Sequence, residues 1–438
     1  MFELLKQRGG IAFYTAIFLN AFIDLGHKIT VQNTVFKIHD GQQQIVLIAI
    51  VNALILLPYI ALVLPIGRIA NRTPKPQLMR ATALFSVLCT ALLLLCYVLG
   101  WFWGAFAMTL LMAIQSAVYS PAKLSYLKVL FGRSRLSQSN AMAQAVVIAG
   151  ILLGTLLFSL AFEYLYQGLT ASQLASGEVG KSAVTRLMAP LGVILVLLAL
   201  VQAIVVWRVP ILSEQADGAA HGSVPIGEGD NLRASSLADL LSRVTREPRL
   251  LYPVAGLALF WSVGQGMLAA FPAFAKEHAQ ITNVAIVQGV LAATAIGIAL
   301  GAAVVARLSP GHINYRLIPP GVVGLAGGLW LLPLFDQAWQ LATTYFLLGI
   351  TSALLLVPMM ASVQQQTGAG QIGGVIAGSN FFQNIAMLLM LLMTIAFAMA
   401  QASAQVLLQI IALLTTVFGA FIAWRVHQVF VASPAAGH

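Results

Sequence analysis

Charged side chains are scarce here: they make up 8% of the 438 residues, with only 13 Asp and Glu in all. A soluble domain carries roughly a quarter charged residues, so a water-soluble globular fold is excluded. Cysteine is nearly absent too. Cys89 and Cys96 stand seven apart in one apolar segment, where packing is the expected role and a disulfide framework is not. The seven histidines are scattered, without H-E-x-x-H or any metal spacing, so neither a metal nor a cofactor is expected. No G-x-x-x-x-G-K-[ST] loop occurs, which excludes ATP hydrolysis by that route. GAGQIGG (368–374) fits G-x-G-x-x-G, but it follows an apolar span, not a strand, and no acid lies downstream to hold a ribose. It reads as a flexible loop. With no nucleophile, metal or acid–base cluster, an enzyme is not expected.

What is present is hydrocarbon, 60% of the residues. Apolar stretches of 18 or more recur along the chain, long enough to cross a bilayer core about 30 Å thick. In lipid the backbone must satisfy its own hydrogen bonds, so each stretch is expected to be a helix. Twelve spans are predicted: 11–34, 45–67, 78–99, 101–121, 138–162, 187–207, 250–274, 284–306, 317–335, 339–362, 375–399 and 403–425. The short basic start, MFELLKQRGG, precedes a long apolar run without a small-residue cleavage site and reads as a signal anchor. Residues 208–249, with EQADGAAHGSVPIGEGDN inside, read as a cytoplasmic linker ending in a short amphipathic helix at SLADLLSRVTRE. The predicted fold is therefore an all-α integral membrane protein: an N-terminal six-helix bundle (1–207), the linker (208–249) and a C-terminal six-helix bundle (250–438).

Lys and Arg set the orientation. With the N-terminus cytoplasmic, eighteen of them fall in inside segments and four outside: Lys37, Lys181, Arg186 and Lys276. Basic residues favour the cytoplasmic face, so both termini are expected there in a multi-pass protein. The net charge of +10 is spread over short loops and forms no patch interleaved with aromatics, so nucleic acid is not an expected partner.

The halves echo each other. PAKLSYLKVLFGRSRLSQSNAMAQAV (121–146) follows the fourth span and PMMASVQQQTGAGQIGGVIAGSNFFQNIA (358–386) the tenth. Each has a proline expected to end a span, a loop, then Ser-Asn and Gln in the next helix: Ser139, Asn140 and Gln144, against Ser379, Asn380 and Gln383. A parallel repeat of this kind builds one large class of secondary transporters, with the substrate site at the repeat interface.

Polar residues inside such spans need reasons. Asn20, Asp24, His27 and Lys28 fall within an arc of about 100° on the first helix, and Gln32 extends it. Asp24 and Lys28, at i and i+4, can neutralise each other as an ordering ion pair. Alternatively the arc lines a wet cavity between the halves, where ionisable residues mark a pathway. A second patch holds Gln115, Ser116, Tyr119 and Ser120, with Pro121 expected to stop the helix and Lys123 beyond it, either as a snorkelling anchor or as part of the site. Trp261 with Gln265, and Asn380, Gln383 and Asn384, read first as interhelical hydrogen bonding.

Three segments carry a resemblance. FLNAFIDLGHK (18–28), AVYSPAKLSYL (117–127) and LSQSNAMAQAVVIAGILLGTLL (136–157) are similar to segments of the bacterial lysophospholipid transporters of the major facilitator superfamily. Leu25 stands where that family usually has asparagine after the aspartate, and Asn71-Arg72 in GRIANRTPKP replaces the superfamily's Asp-Arg. The resemblance implies a major facilitator arrangement in the bacterial inner membrane. It implies alternating-access movement of lysophospholipid, chiefly lysophosphatidylethanolamine, toward the cytoplasmic leaflet for re-acylation. In some relatives the acyltransferase is fused. No histidine here has an aspartate five residues later, so the implied acyltransferase partner is a separate cytoplasmic protein. Substrate lipid and membrane lipid are the other expected partners, and a monomer is expected. Asp24 is assigned to the ethanolamine ammonium, Lys28 or Lys123 to the phosphate and His27 to a pH response, with Asn20, Gln115 and Tyr119 in the same site. Two other functions fit the composition: a proton-coupled exporter of hydrophobic drugs, with Asp24 carrying the proton, and a non-transporting scaffold that docks an enzyme through the linker.

Overall fold

The computed structural model describes residues 2–63, 65–66, 69, 73–132, 135–168, 178–212, 242, 244–309, 312–365 and 372–432. Among them there is no strand. Each expected apolar run is a helix, and twelve are long and apolar enough to cross a membrane. In the first half these are α1 (Gly10–Ile38), α2 (Gly41–Ala61), α3 (Lys75–Leu99), α4 (Phe102–Phe131), α5 (Leu136–Tyr166) and α6 (Ala189–Trp207). In the second half they are α7 (Pro248–Glu277), α8 (Val284–Leu308), α9 (Ile318–Leu331, lengthened to the span Tyr315–Leu334 by a 3-10 turn at each end), α10 (Ala338–Gln365), α11 (Ile372–Met399) and α12 (Ala404–His427). Most of the linker (213–241 and 243), most of its amphipathic helix, Asn71-Arg72 and the start of GAGQIGG lie outside the described residues.

Local chemistry sets the helix ends. Asn283 caps α8 by accepting from the amides of Ala285 and Ile286 at 2.8 and 3.2 Å, and the Ser403 hydroxyl caps α12. Glycine in the left-handed region closes α3 at Gly100 (φ +70°) and follows α4 at Gly132 (φ +74°). The prolines do not act as expected. Pro121 and Pro358 lie inside α4 and α10, which continue to Phe131 and Gln365. A proline removes one intrahelical bond, but a packed membrane helix tolerates that loss and runs on.

Packing repeats across the halves. In the first, α1 packs on α4, α5 and α6, and α3 on α4 and α6; in the second, α7 packs on α10, α11 and α12, and α9 on α10 and α12. Small residues let backbones approach where apolar side chains gain nothing over lipid. On α5, Gly150 and Gly154 face the carbonyls of Phe18 and Phe22, where added Cβ atoms would stand 2.9 and 3.1 Å from the oxygens. The tightest approach is α8 on α10. A Cβ on Gly297 would sit 2.1 Å from the Phe346 carbonyl oxygen, and one on Gly349 would sit 2.2 Å from that of Thr294.

The chain forms two compact units. One comprises Met1–His39 and Leu54–Ser223; the other comprises Asp40–Ala53 and Val224–His438. The start of α2 thus clusters with the second unit, where Lys276 meets Asp40 at 2.6 Å. In the first unit Leu4, Phe13, Tyr14, Tyr126, Phe131 and Val206 form part of a sealed core beneath the cytoplasm-facing ends expected from the charge pattern. Cys89 and Cys96 are buried free thiols that pack, as expected.

Candidate functional site

Asp24 stands mid-way along α1, and it is the acidic residue of the spans farthest from a helix end. Glu163 lies near the end of α5 and Glu277 closes α7. Unpaired, a carboxylate at that depth costs about 2.5–3.5 kcal/mol on an insertion scale. The structure supplies partners. Asp24 Oδ2 accepts from Asn20 Nδ2 at 2.9 Å and from the Ser116 hydroxyl of α4. Asn20 Nδ2 also reaches Ser116 Oγ at 3.3 Å. Behind it, Asn20 Oδ1 accepts from Gln115 Nε2 at 3.1 Å and from Gln202 Nε2 of α6 at 3.2 Å. Gln115 Nε2 further donates to the Thr82 carbonyl of α3 at 3.2 Å. One polar knot therefore ties α1, α3, α4 and α6 together.

The i, i+4 ion pair between Asp24 and Lys28 is not formed; an ion pair of this unit lies farther along α1, where Lys37 Nζ is 3.0 Å from Glu163. Ser116 and Asn20 draw the Asp24 carboxylate toward α4, and its charged neighbour within electrostatic reach is Lys123. Lys28 stands one turn from Asp24 along α1, a rise of about 6 Å, on the side toward Lys37. Lys123 stands seven residues beyond Ser116 on α4, a rise of about 10 Å, on the opposite side. Its Nζ is 6.0 Å from the Tyr119 ring centroid. Along the two helices a lysine thus stands on either side of the carboxylate, and Lys123 is the one within its electrostatic reach.

Exposure divides the predicted residues into two sets. Asp24, Lys28, Ser116 and Lys123 are partly exposed, whereas Asn20, His27, Gln115 and Tyr119 are buried. His27 turns to Thr109 of α4, 3.1 Å from Nε2, and its Nδ1 is buried without a protein partner. The Tyr119 hydroxyl is likewise buried and unpartnered, within reach of the Asp24 charge. Ser116, which the sequence placed in the second patch, is the direct carboxylate partner; two neighbours were absent from the sequence-based reading, Gln202 as a donor to Asn20 and Tyr59 of α2 within electrostatic reach of Asp24. Gln202 was visible as a lone amide in LLALVQAIVVW.

In the second unit Arg425 of α12 donates to the Tyr252 hydroxyl of α7 at 2.7 Å and to Gln428 Oε1 at 3.0 Å. Gln383 donates to Ser379 at 2.8 Å within α11 itself, so this amide serves its own helix and not an interhelical bond. Asn380 is exposed, and Gln265 Oε1 is buried without a partner. No cluster of three or more His, Cys, Asp or Glu suited to a metal occurs among the described residues.

Twelve membrane-crossing helices in two six-helix bundles that repeat one packing scheme, with a polar knot inside one of them, define a secondary transporter of the membrane. The profile of the Major Facilitator Superfamily matches residues 12–391, and the chain belongs to that superfamily. It is similar to the lysophospholipid transporter LplT of Enterobacter sp. (strain 638), 27% identical over 399 residues and 88% of each chain. LplT of Yersinia pestis (strain Pestoides F) is 27% identical over 344 residues, 76% of this chain and 73% of that one. Among solved structures, the POT family transporter PepTSo aligns with a TM-score of 0.65 at 14% identity, over 95% of this chain and 98% of that one. A bacterial homologue of the human lysosomal transporter Spinster, in an inward-facing and unoccupied conformation, aligns at 0.61 and 12% identity, over 94% and 97%. The E. coli fucose:proton symporter FucP aligns at 0.59 and 16% identity, over 95% and 98%. These structural likenesses establish the fold alone.

Proposed function

We propose that this transporter carries lysophospholipids, chiefly lysophosphatidylethanolamine, from the outer to the cytoplasmic leaflet of a bacterial inner membrane by alternating access. A separate cytoplasmic acyltransferase then restores the missing chain. Both termini are cytoplasmic in this reading, which the distribution of Lys and Arg supports. The observation that carries the substrate is the half-occupied carboxylate of Asp24. Oδ2 is taken up by Asn20 and Ser116, Oδ1 has no protein partner among the described residues, and Lys28 and Lys123 stand on either side. A zwitterionic head group matches that order of charges, with its ammonium on Asp24 Oδ1 and its phosphate on a flanking lysine. Charge-assisted hydrogen bonds of this type are about twice as strong as neutral ones. Similarity to LplT over most of both chains supports the same substrate class.

The buried residues then serve as scaffolding. Asn20, Gln115 and Tyr119 back the carboxylate from inside the bundle, and His27 fastens α1 to α4 through Thr109. Uptake of a fluorescent lysophosphatidylethanolamine into spheroplasts tests the reading. The wild-type chain should restore uptake to a strain lacking its own transporter, and failure with the protein present in the membrane would refute it.

A further inference from the structure

The connection into α6 carries something that its counterpart in the second half does not. Residues 400–403 suffice to join α11 to α12, whereas a further helix, Glu178–Leu187, stands before α6. It is amphipathic: Gly180, Val184 and Thr185 are buried, Lys181 and Ser182 half-buried and Arg186 exposed. It lies against the turn between α3 and α4. A Cβ added to Gly100 there would stand 2.3 Å from Ser182 Oγ and 2.9 Å from Arg186 Nε. Arg186 Nη2 donates to the Leu99 carbonyl at 3.5 Å, and Lys181 Nζ lies 6.0 Å from the Trp103 ring centroid. Trp103 and its neighbour Trp101 are 46% and 60% exposed.

Exposed indoles at the end of a span mark the head-group layer, so both cations stand at phosphate depth. Basic residues are few at this end of the spans. Lys37 and Lys276, the other two, each meet a carboxylate, Glu163 at 3.0 Å and Asp40 at 2.6 Å. Arg186 meets a backbone carbonyl, which brings no full negative charge. The turn between α9 and α10 again has an exposed indole, Trp339, but with the exposed carboxylate of Asp336 beside it. The aromatic anchor thus recurs in both halves, and the pair of cations belongs to the first.

We infer that Trp101, Trp103, Lys181 and Arg186 bind the phosphate group of a resident anionic phospholipid, apart from the transport site. In the orientation proposed above, that lipid belongs to the outer leaflet. The guanidinium fork offers charge-assisted hydrogen bonds to phosphate oxygens, and Lys181 adds a second charge. The indoles cover the glycerol and the first acyl carbons. An amphipathic helix in the interface, with basic residues beside its polar face, is suited to such a lipid. The lipid fastens the α3–α4 turn to the helix that leads into α6.

The test uses the purified full chain in detergent, with phosphatidylglycerol as the probe and native mass spectrometry as the readout. Wild type should retain the lipid through delipidation. Lys181→Gln combined with Arg186→Gln should weaken binding about thirtyfold, and Lys181→Gln alone about fivefold. The single variant decides the matter if the pair accumulates poorly. Lys181→Arg with Arg186→Lys should keep the lipid. Arg307→Gln with Arg316→Gln removes two charges from the opposite end of the spans and should not affect it. Asp24→Asn alters the transport site, and retention should persist there, whichever substrate the protein carries. Wild-type binding in both glutamine variants overturns the inference. Equal loss in the Arg307 and Arg316 pair overturns it by showing that total charge alone attracts the lipid. Loss in Asp24→Asn overturns it by placing the lipid in the transport site.

Discussion

Asn20 and Asp24, one turn apart on α1, share a hydrogen bond of 2.9 Å from Nδ2 to Oδ2, and both reach the same Ser116 hydroxyl on α4. The carboxylate is therefore anchored on one oxygen only. Its hydrogen bonding depends on a neighbouring helix and not on Lys28, which the spacing along α1 made the obvious partner.

The flanking lysines should act on substrate affinity. Lys28→Ala and Lys123→Ala are each expected to raise the KM for lysophosphatidylethanolamine about tenfold, as loss of one charged hydrogen bond does. Arginine at either position should retain most of the affinity. Concentration-dependent uptake measures both. If neither alanine variant changes KM, the phosphate is held elsewhere.

Energy coupling separates lipid entry from drug export. A lipid moving down its own gradient needs no proton gradient, so an uncoupler should leave lysophospholipid uptake unchanged while the membrane stays intact. A collapse of uptake in step with the gradient would favour the proton-coupled exporter.

The close crossing of α8 and α10 predicts where the second unit breaks. Gly297→Ala and Gly349→Ala place a methyl 2.1 and 2.2 Å from carbonyl oxygens, so each should lower the melting temperature in detergent markedly. Gly289→Ala and Gly327→Ala meet nothing within 4 Å, and the gain in helix propensity of about 1 kcal/mol should leave stability unchanged or raised. Equal effects at the two pairs would contradict this packing.

The Lys37–Glu163 pair, with side chains 8% and 11% exposed, fastens α1 to α5, and Lys37 also lies 4.2 Å from the Tyr166 ring centroid. Removing one partner of a buried pair typically costs about 3–5 kcal/mol, because the other charge is left uncompensated. Lys37→Met and Glu163→Leu should each destabilise strongly and the double variant much less. A double-mutant cycle by thermal unfolding reads the difference; additive losses would show that the pair is not coupled.

The fold was legible because hydrocarbon length and backbone satisfaction leave a membrane span little choice. All twelve runs became helices, with edges moved by several residues. Pro121 and Pro358 misled because a proline halts a helix in water, where the chain can turn away, but is absorbed inside a bundle. The arc on α1 was equally plain from spacing alone. What spacing could not show was which neighbour each polar group meets. Asp24 bonds Ser116, His27 bonds Thr109 and Gln383 bonds Ser379 in its own helix. Gln202, 182 residues from Asn20 in sequence, comes to it only through the packing of α6 on α1.

The most direct test of the central claim is uptake of lysophosphatidylethanolamine by purified transporter in proteoliposomes, comparing wild type with Asp24→Asn. The amide keeps the shape and can still bond Ser116 but cannot pair with an ammonium. The account predicts a loss of at least about tenfold in kcat/KM, with an unchanged elution profile and melting temperature. Wild-type kinetics in Asp24→Asn would contradict it.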